Sequence, residues 1–192
     1  MMNTAFIIHG SGGSPNRHWY SWLKEKLEDL GLQVFAPQFP IDEDSQTLEN
    51  WLKTLEKFKE NLENSILVGH SLGVPFILNV LNQWNYNIRA VFLVSGFEGH
   101  LEVKDEPNIN DFSKRDFDWD KIKSQCNNFY VIHSDNDPYV PLEKAKKLAQ
   151  KLDTQVILVK NGAHFLAESG FDTFKFLFEK IKGVLFSSNS IR

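Results

Sequence analysis

The chain has 192 residues, 42% of them hydrophobic and 24% charged, which suits one globular domain with a sizeable core. A formal net charge of −4 with scattered Lys and Arg gives no reason to expect nucleic acid or an anionic membrane surface as partner. The single cysteine, Cys126, excludes an internal disulfide framework and suits a reducing compartment.

Taken in order, Met1-Met2-Asn3-Thr4 lacks a basic leader and no apolar run reaches membrane-spanning length, so a cytoplasmic location is expected. Ala5-Phe6-Ile7-Ile8 is apolar without alternation and reads as a buried parallel strand. It ends in a run of turn residues, His9-Gly10-Ser11-Gly12-Gly13-Ser14-Pro15. Trp19, Trp22, Leu23, Leu27 and Leu30 then recur at helical spacing, and Gly31 closes that helix. Gln33-Val34-Phe35-Ala36 is a second strand, stopped by Pro37. Leu48, Trp51, Leu52, Leu55, Phe58 and Leu62 mark an amphipathic helix over residues 46–61.

The next stretch organises the chain. Ser65-Ile66-Leu67-Val68 runs into Gly69-His70-Ser71-Leu72-Gly73, a G-x-S-x-G pattern, and an apolar-periodic helix follows over residues 72–84. Strand, glycine-flanked serine and helix in that order describe a nucleophile elbow, with the serine exposed on a strained turn. The N–H of Leu72 falls at a helix N-terminus, where donors are unpaired and negative charge is favoured. Pro75 suits a first helical turn. The bland alternative is a glycine-rich turn carrying an inert serine.

Arg89-Ala90-Val91-Phe92-Leu93-Val94 is a fourth strand, ending in Ser95-Gly96-Phe97. Residues 98–118 show no clean period, and a loop of that length in a compact domain is usually functional or disordered. A short helix over residues 119–125 precedes the fifth strand, Phe129-Tyr130-Val131-Ile132-His133. Ser134-Asp135-Asn136-Asp137-Pro138 follows, then a helix over residues 142–152. Gln155-Val156-Ile157-Leu158-Val159 is the sixth strand, followed by Asn161-Gly162-Ala163-His164-Phe165 and a last helix over residues 171–185. Residues 187–192 read as a frayed tail.

Alternating strands and helices, with continuous apolar strands, predict a three-layer α/β/α sandwich around about six mostly parallel strands. Right-handed crossovers then bring the C-terminal strand ends to one edge, where ligands bind in such sheets. The unusual sequences fall at that edge. His9-Gly10-Ser11 follows strand one, Ser71 strand three, Asp137 strand five and His164 strand six. A serine hydroxyl needs a base, His164 can supply it, and a buried carboxylate can hold the imidazole tautomer. Asp135 and Asp137 compete for that last role. Asp137 is favoured, because Asp137-Pro138-Tyr139-Val140-Pro141 fixes a rigid turn, whereas Asp135 reads as a turn-capping residue. The backbone N–H groups of Ser11 and Leu72 are the candidate oxyanion donors. His18 and His100 read as surface residues, and His9, His70 and His133 as hydrogen-bonded structural histidines. Their spacing suggests no metal site, and no cofactor is expected.

His9-Gly10-Ser11-Gly12-Gly13, Gly69-His70-Ser71-Leu72-Gly73, Asp137-Pro138-Tyr139-Val140-Pro141 and Gly162-Ala163-His164-Phe165 together resemble the α/β-hydrolase superfamily. Within it they are most similar to the small serine hydrolases of the retinoblastoma-binding-protein type. The resemblance covers nearly the whole chain and includes Asp118-Trp119-Asp120-Lys121-Ile122. It implies a six-stranded sheet without a large cap domain, and Ser71, Asp137 and His164 as a catalytic triad. The L-x-C-x-E motif of the vertebrate member is missing around Cys126, so its protein partner is not implied here.

Two functions follow. The first is a serine hydrolase acting on small carboxylic esters, with thioesters and amides as further substrates, through an acyl-enzyme. Its pocket is expected to be walled by Phe97, Phe112 and Trp119. The second is a protein-interaction module with vestigial activity, contacting its partner through residues 98–115. The oligomeric state is left open between monomer and weak dimer.

Overall fold

All six apolar runs form strands in the computed structural model, which describes residues 3–102 and 108–187. They are β1 (Thr4–Ile8), β2 (Gln33–Phe35), β3 (Ile66–His70), β4 (Ala90–Val94), β5 (Phe129–Ser134) and β6 (Val156–Val159). Every pairing in the sheet is parallel, in the order β2-β1-β3-β4-β5-β6. The chain winds outward one way from β1 to β2, then returns beside β1 and winds the other way. The reversal lies between β1 and β3, with Ile8 opposite Gly69, so the loops leaving those two strands open a crevice at the switch point.

Alternation within each strand divides the core in two. Phe6, Ile8, Leu67, Val91 and Leu93 face a layer built by α2 (Leu48–Glu56), α3 (Gly73–Gln83), α4 (Ile109–Ser113), α5 (Trp119–Ser124) and α6 (Leu142–Lys151). Ala5, Ile7, Val68, Phe92 and Ile132 face α1 (Tyr20–Asp29) and α7 (Lys175–Ser187). The three-layer sandwich is therefore complete, with no large cap among the described residues. The strands of the sheet centre are buried on both sides, which is why they read as unbroken apolar runs. β6 is an edge strand and leaves Leu158 half exposed.

Two helices differ from expectation. The helix anticipated over residues 46–61 stops at Glu56 and resumes only as a 3₁₀ turn at Lys59–Asn61. Phe58 sits between them, turned onto Phe35 and Phe6 at ring separations of 5.3 and 6.4 Å. Packing has overridden a period that helix and 3₁₀ turn both satisfy. The last helix begins at Lys175 rather than near 171, because Phe171 and Phe174 are drawn onto Phe165 in the preceding turn. Of the expected tail, Ser187 ends α7, and residues 188–192 lie outside the described residues, as do residues 103–107 of the long loop.

Candidate active site

Ser71 directly follows β3 and has a left-handed φ of 53°, a conformation costing about 1–3 kcal/mol for such a residue. Backbone packing holds it there. A Cβ on Gly73 would lie 2.5 Å from the Ile8 carbonyl oxygen, and one on Gly69 would lie 2.8 Å from the Gly73 carbonyl oxygen. Only glycine lets strand, turn and helix close this tightly. The Ser71 N–H donates to the Val94 carbonyl at 2.9 Å, which ties the elbow to the neighbouring strand. Among the described residues, the N–H groups of Leu72 and Ser11 have no partner. Their neighbours on the first loop do: Gly12 N–H donates to Gln46 Oε1 and Gly13 N–H to the Gly10 carbonyl.

Asp137 sits beyond β5 with its carboxylate almost wholly buried. His164 Nδ1 lies 2.8 and 3.0 Å from its two oxygens. A carboxylate only accepts, so Nδ1 carries the proton and Nε2 is left free to take one. Backbone N–H groups of Tyr139 and Val140 donate to Oδ1, and the Ser95 hydroxyl donates to Oδ2 at 2.8 Å. Burial alone would raise the Asp137 pKa. The His164 hydrogen bond and charge, with the two backbone donors, outweigh it and hold the carboxyl below its ordinary value. Asp135 accepts instead from the Asn161 N–H at 2.8 Å, the turn-capping part expected of it.

Ser71, Ser11 and His164 line one cleft of about 230 Å³ at the crevice between β1 and β3. Among the described residues no hydrogen bond joins Ser71 Oγ to the His164 ring; contacts of this kind commonly tighten only with substrate bound. The lining includes the apolar Leu101, Ile109, Val140 and Leu166 as well as Arg17 and His18.

The three expected pocket aromatics are not on this lining. Phe97 is fully buried in the core, and Gly96 before it passes so close to Val74 that a Cβ would sit 2.4 Å from it. Phe112 packs edge-on against Trp51 at 5.0 Å, and Trp119 against Phe117 at 5.4 Å. His18, expected on the surface, has a side chain only 8% exposed and lines the cleft. Ser95 is not singled out by the sequence alone. Its only signal was position, a polar residue at the end of a buried strand on the ligand-binding edge. His9 and His70 use both ring nitrogens, as structural histidines should. Among the described residues His133 uses only Nε2, toward the Val140 carbonyl, and leaves Nδ1 buried without a partner.

A family model described as serine hydrolase matches residues 5–182. The chain belongs to the serine hydrolase family. It is 35% identical over 182 residues to the YdeN protein of Bacillus subtilis (strain 168), named as a hydrolase, covering 93% of this chain and 94% of the relative. It is 29% identical over 164 residues to the serine hydrolase RBBP9 of Rattus norvegicus, covering 84% and 86%. The crystal structure of the ydeN gene product from B. subtilis superposes with a TM-score of 0.89 at 32% identity, covering 96% of this chain and 99% of that one. This serine hydrolase is thus a member of the retinoblastoma-binding-protein type within the α/β-hydrolase fold. No described helix is long and apolar enough to cross a membrane.

Proposed function

We propose that this hydrolase cleaves small carboxylic esters through Ser71, His164 and Asp137, by way of an acyl-enzyme. The observation that carries the reading is an imidazole fixed by a buried carboxylate at the same cleft onto which the left-handed Ser71 opens. Ser71 Oγ attacks the ester carbonyl while His164 Nε2 takes its proton. The tetrahedral oxyanion accepts from the N–H groups of Ser11 and Leu72. On collapse the C–O bond breaks, and His164 returns its proton to the departing alcohol. Water then attacks the acyl group with His164 again as base, releasing the carboxylic acid and restoring Ser71. Asp137 stays ionised throughout.

A cleft of about 230 Å³ is below the usual range of ligand pockets, about 300–1,000 Å³. That favours short acyl groups against Leu101, Ile109, Val140 and Leu166, with Arg17 and His18 facing a polar leaving group. Thioesters and amides offer the same carbonyl to the same groups. A fluorophosphonate probe is expected to label the wild type and to miss Ser71→Ala. Equal labelling of both proteins, or of neither, would sink the reading.

A further inference from the structure

The loop carrying His164 is under unusual backbone strain. Of the eight non-glycine residues with left-handed φ among the described residues, three fall within 161–165: Asn161, Ala163 and Phe165. Residues in such conformations persist only where their surroundings over-determine them. The loop's entry is held from the acid loop, where Asp135, Ser134 and Asn136 accept from the N–H groups of Asn161, Gly162 and Ala163, each at 2.8 Å.

Its exit is held from the start of α1. Trp19 Nε1 donates to the Phe165 carbonyl at 3.1 Å, and the Ala167 N–H donates to His18 Nδ1 at 3.0 Å. Between them, the carbonyl of His164 itself lies 2.8 Å from His70 Nε2. A carbonyl cannot donate, so His70 Nε2 bears the proton. Its Nδ1 is then an acceptor, and Tyr20 Oη, 2.6 Å away, must be the donor. Burial raises the Tyr20 phenol pKa, so the hydroxyl keeps its proton. Burial, reinforced by the facing His164, keeps His70 neutral, which spares a protonated His164 a like charge at a ring separation of 4.9 Å.

We propose that Tyr20 and His70 are a positioning pair: the Tyr20 hydroxyl fixes the His70 tautomer whose Nε2–H grips the His164 carbonyl and sets the base against Ser71. This rests on the reading of Ser71 as nucleophile and His164 as base. His70 is the residue before Ser71 on the rigid end of β3, so the backbone of the nucleophile and that of the base are joined through one buried side chain. The separation of Ser71 from His164 is therefore set by the sheet rather than left to a strained loop.

Three variants test it, with p-nitrophenyl acetate as substrate, fluorophosphonate labelling rate as a second readout and the thermal midpoint as a fold control. Tyr20→Phe keeps the ring and removes the donor. His70→Gln keeps an N–H able to reach the carbonyl, and His70→Leu removes it. Since small misplacements of reacting groups cost up to about a hundredfold, kcat is expected to fall about tenfold in Tyr20→Phe and about a hundredfold in His70→Leu. His70→Gln should stay within a few-fold of wild type, with KM little moved in all three and the thermal midpoint lowered most in His70→Leu, which strands the buried Tyr20 hydroxyl and the His164 carbonyl. Wild-type kcat in Tyr20→Phe would overturn the proposal, and that variant decides alone if His70→Leu does not fold. Equal losses in His70→Gln and His70→Leu would also overturn it. So would a raised KM at constant kcat in Tyr20→Phe, which would make Tyr20 a substrate contact. An unlabelled wild type would instead remove the catalytic reading on which the pair depends.

Discussion

Asp137 shows how much one side chain is asked to do. Four donors converge on its two oxygens: His164 Nδ1, the Ser95 hydroxyl, and the N–H groups of Tyr139 and Val140. Asp137→Asn would keep the shape and lose the charge. An amide turned to donate would favour the wrong imidazole tautomer, so kcat on p-nitrophenyl acetate is expected to fall by about 10³–10⁴-fold. Asp135→Asn is the control, because an amide oxygen still accepts from the Asn161 N–H; its kcat should stay near wild type. A fall of less than tenfold in Asp137→Asn would assign the carboxylate role elsewhere. At this scale sequence was informative wherever chemistry restricts residue type. Ser71, Asp137 and His164 stand out because few residue types can fill the roles proposed for them. Ser95 and Tyr20 do not, because a hydroxyl at a strand end or in a first helical turn is ordinary until its partner is known, and both partners lie more than forty residues away.

Among the elements, α4 is the one tied to the apolar lining of the cleft. The Asp111 carboxylate accepts from the Leu48 N–H at the start of α2, at 2.9 Å, where negative charge is favoured. Asn110 bonds both the N–H and the carbonyl of Leu101. The short helix thereby holds two residues of the apolar cleft wall, Leu101 and Ile109. Asp111→Ala is expected to cost about 1 kcal/mol of stability, as loss of a helix N-terminal partner does, and to raise KM several-fold while leaving probe labelling of Ser71 intact. Urea midpoint and steady-state KM check the two effects; unchanged KM would free the wall from α4. Neither α4 nor this wall is legible in the sequence. The wall gathers Leu101, Ile109, Val140 and Leu166 from distant segments, and periodicity reports only which face of an element is buried. Phe97 illustrates the limit: its place after β4 points to the cleft, yet its side chain is fully buried in the core.

Across the whole molecule, architecture was read more fully than any pocket, since unbroken apolar strands separated by helices admit few arrangements, and the ligand-binding edge follows from parallel order alone. That edge also concentrates buried titratable groups, with a consequence for acid stability. His9, His18, His70 and His133 all have pKa values lowered from about 6.5, burial being the largest cause in each. A histidine depressed in the folded state lets the unfolded chain bind more protons below that value, so stability declines as pH falls below about 6.5. Asp137 acts in the same direction at lower pH: its depressed pKa contributes stability above about 3.8, lost as pH falls through the folded value. Urea midpoints should therefore drop between pH 7 and 5, before carboxylates titrate, and a flat profile there would contradict the burial-driven shifts. The elbow carries a kinetic corollary. Ser71 is poised by contacts with Val94 and with the Ile8–Gly73 packing, none of which outlasts unfolding. On the proposed role of Ser71, its covalent capture would withdraw molecules from the native population alone. In denaturant, a brief pulse of probe would count the folded molecules present at that instant. A long exposure would draw the whole sample through the folded state, at a pace set by refolding once the probe reacts faster than the folded state reopens.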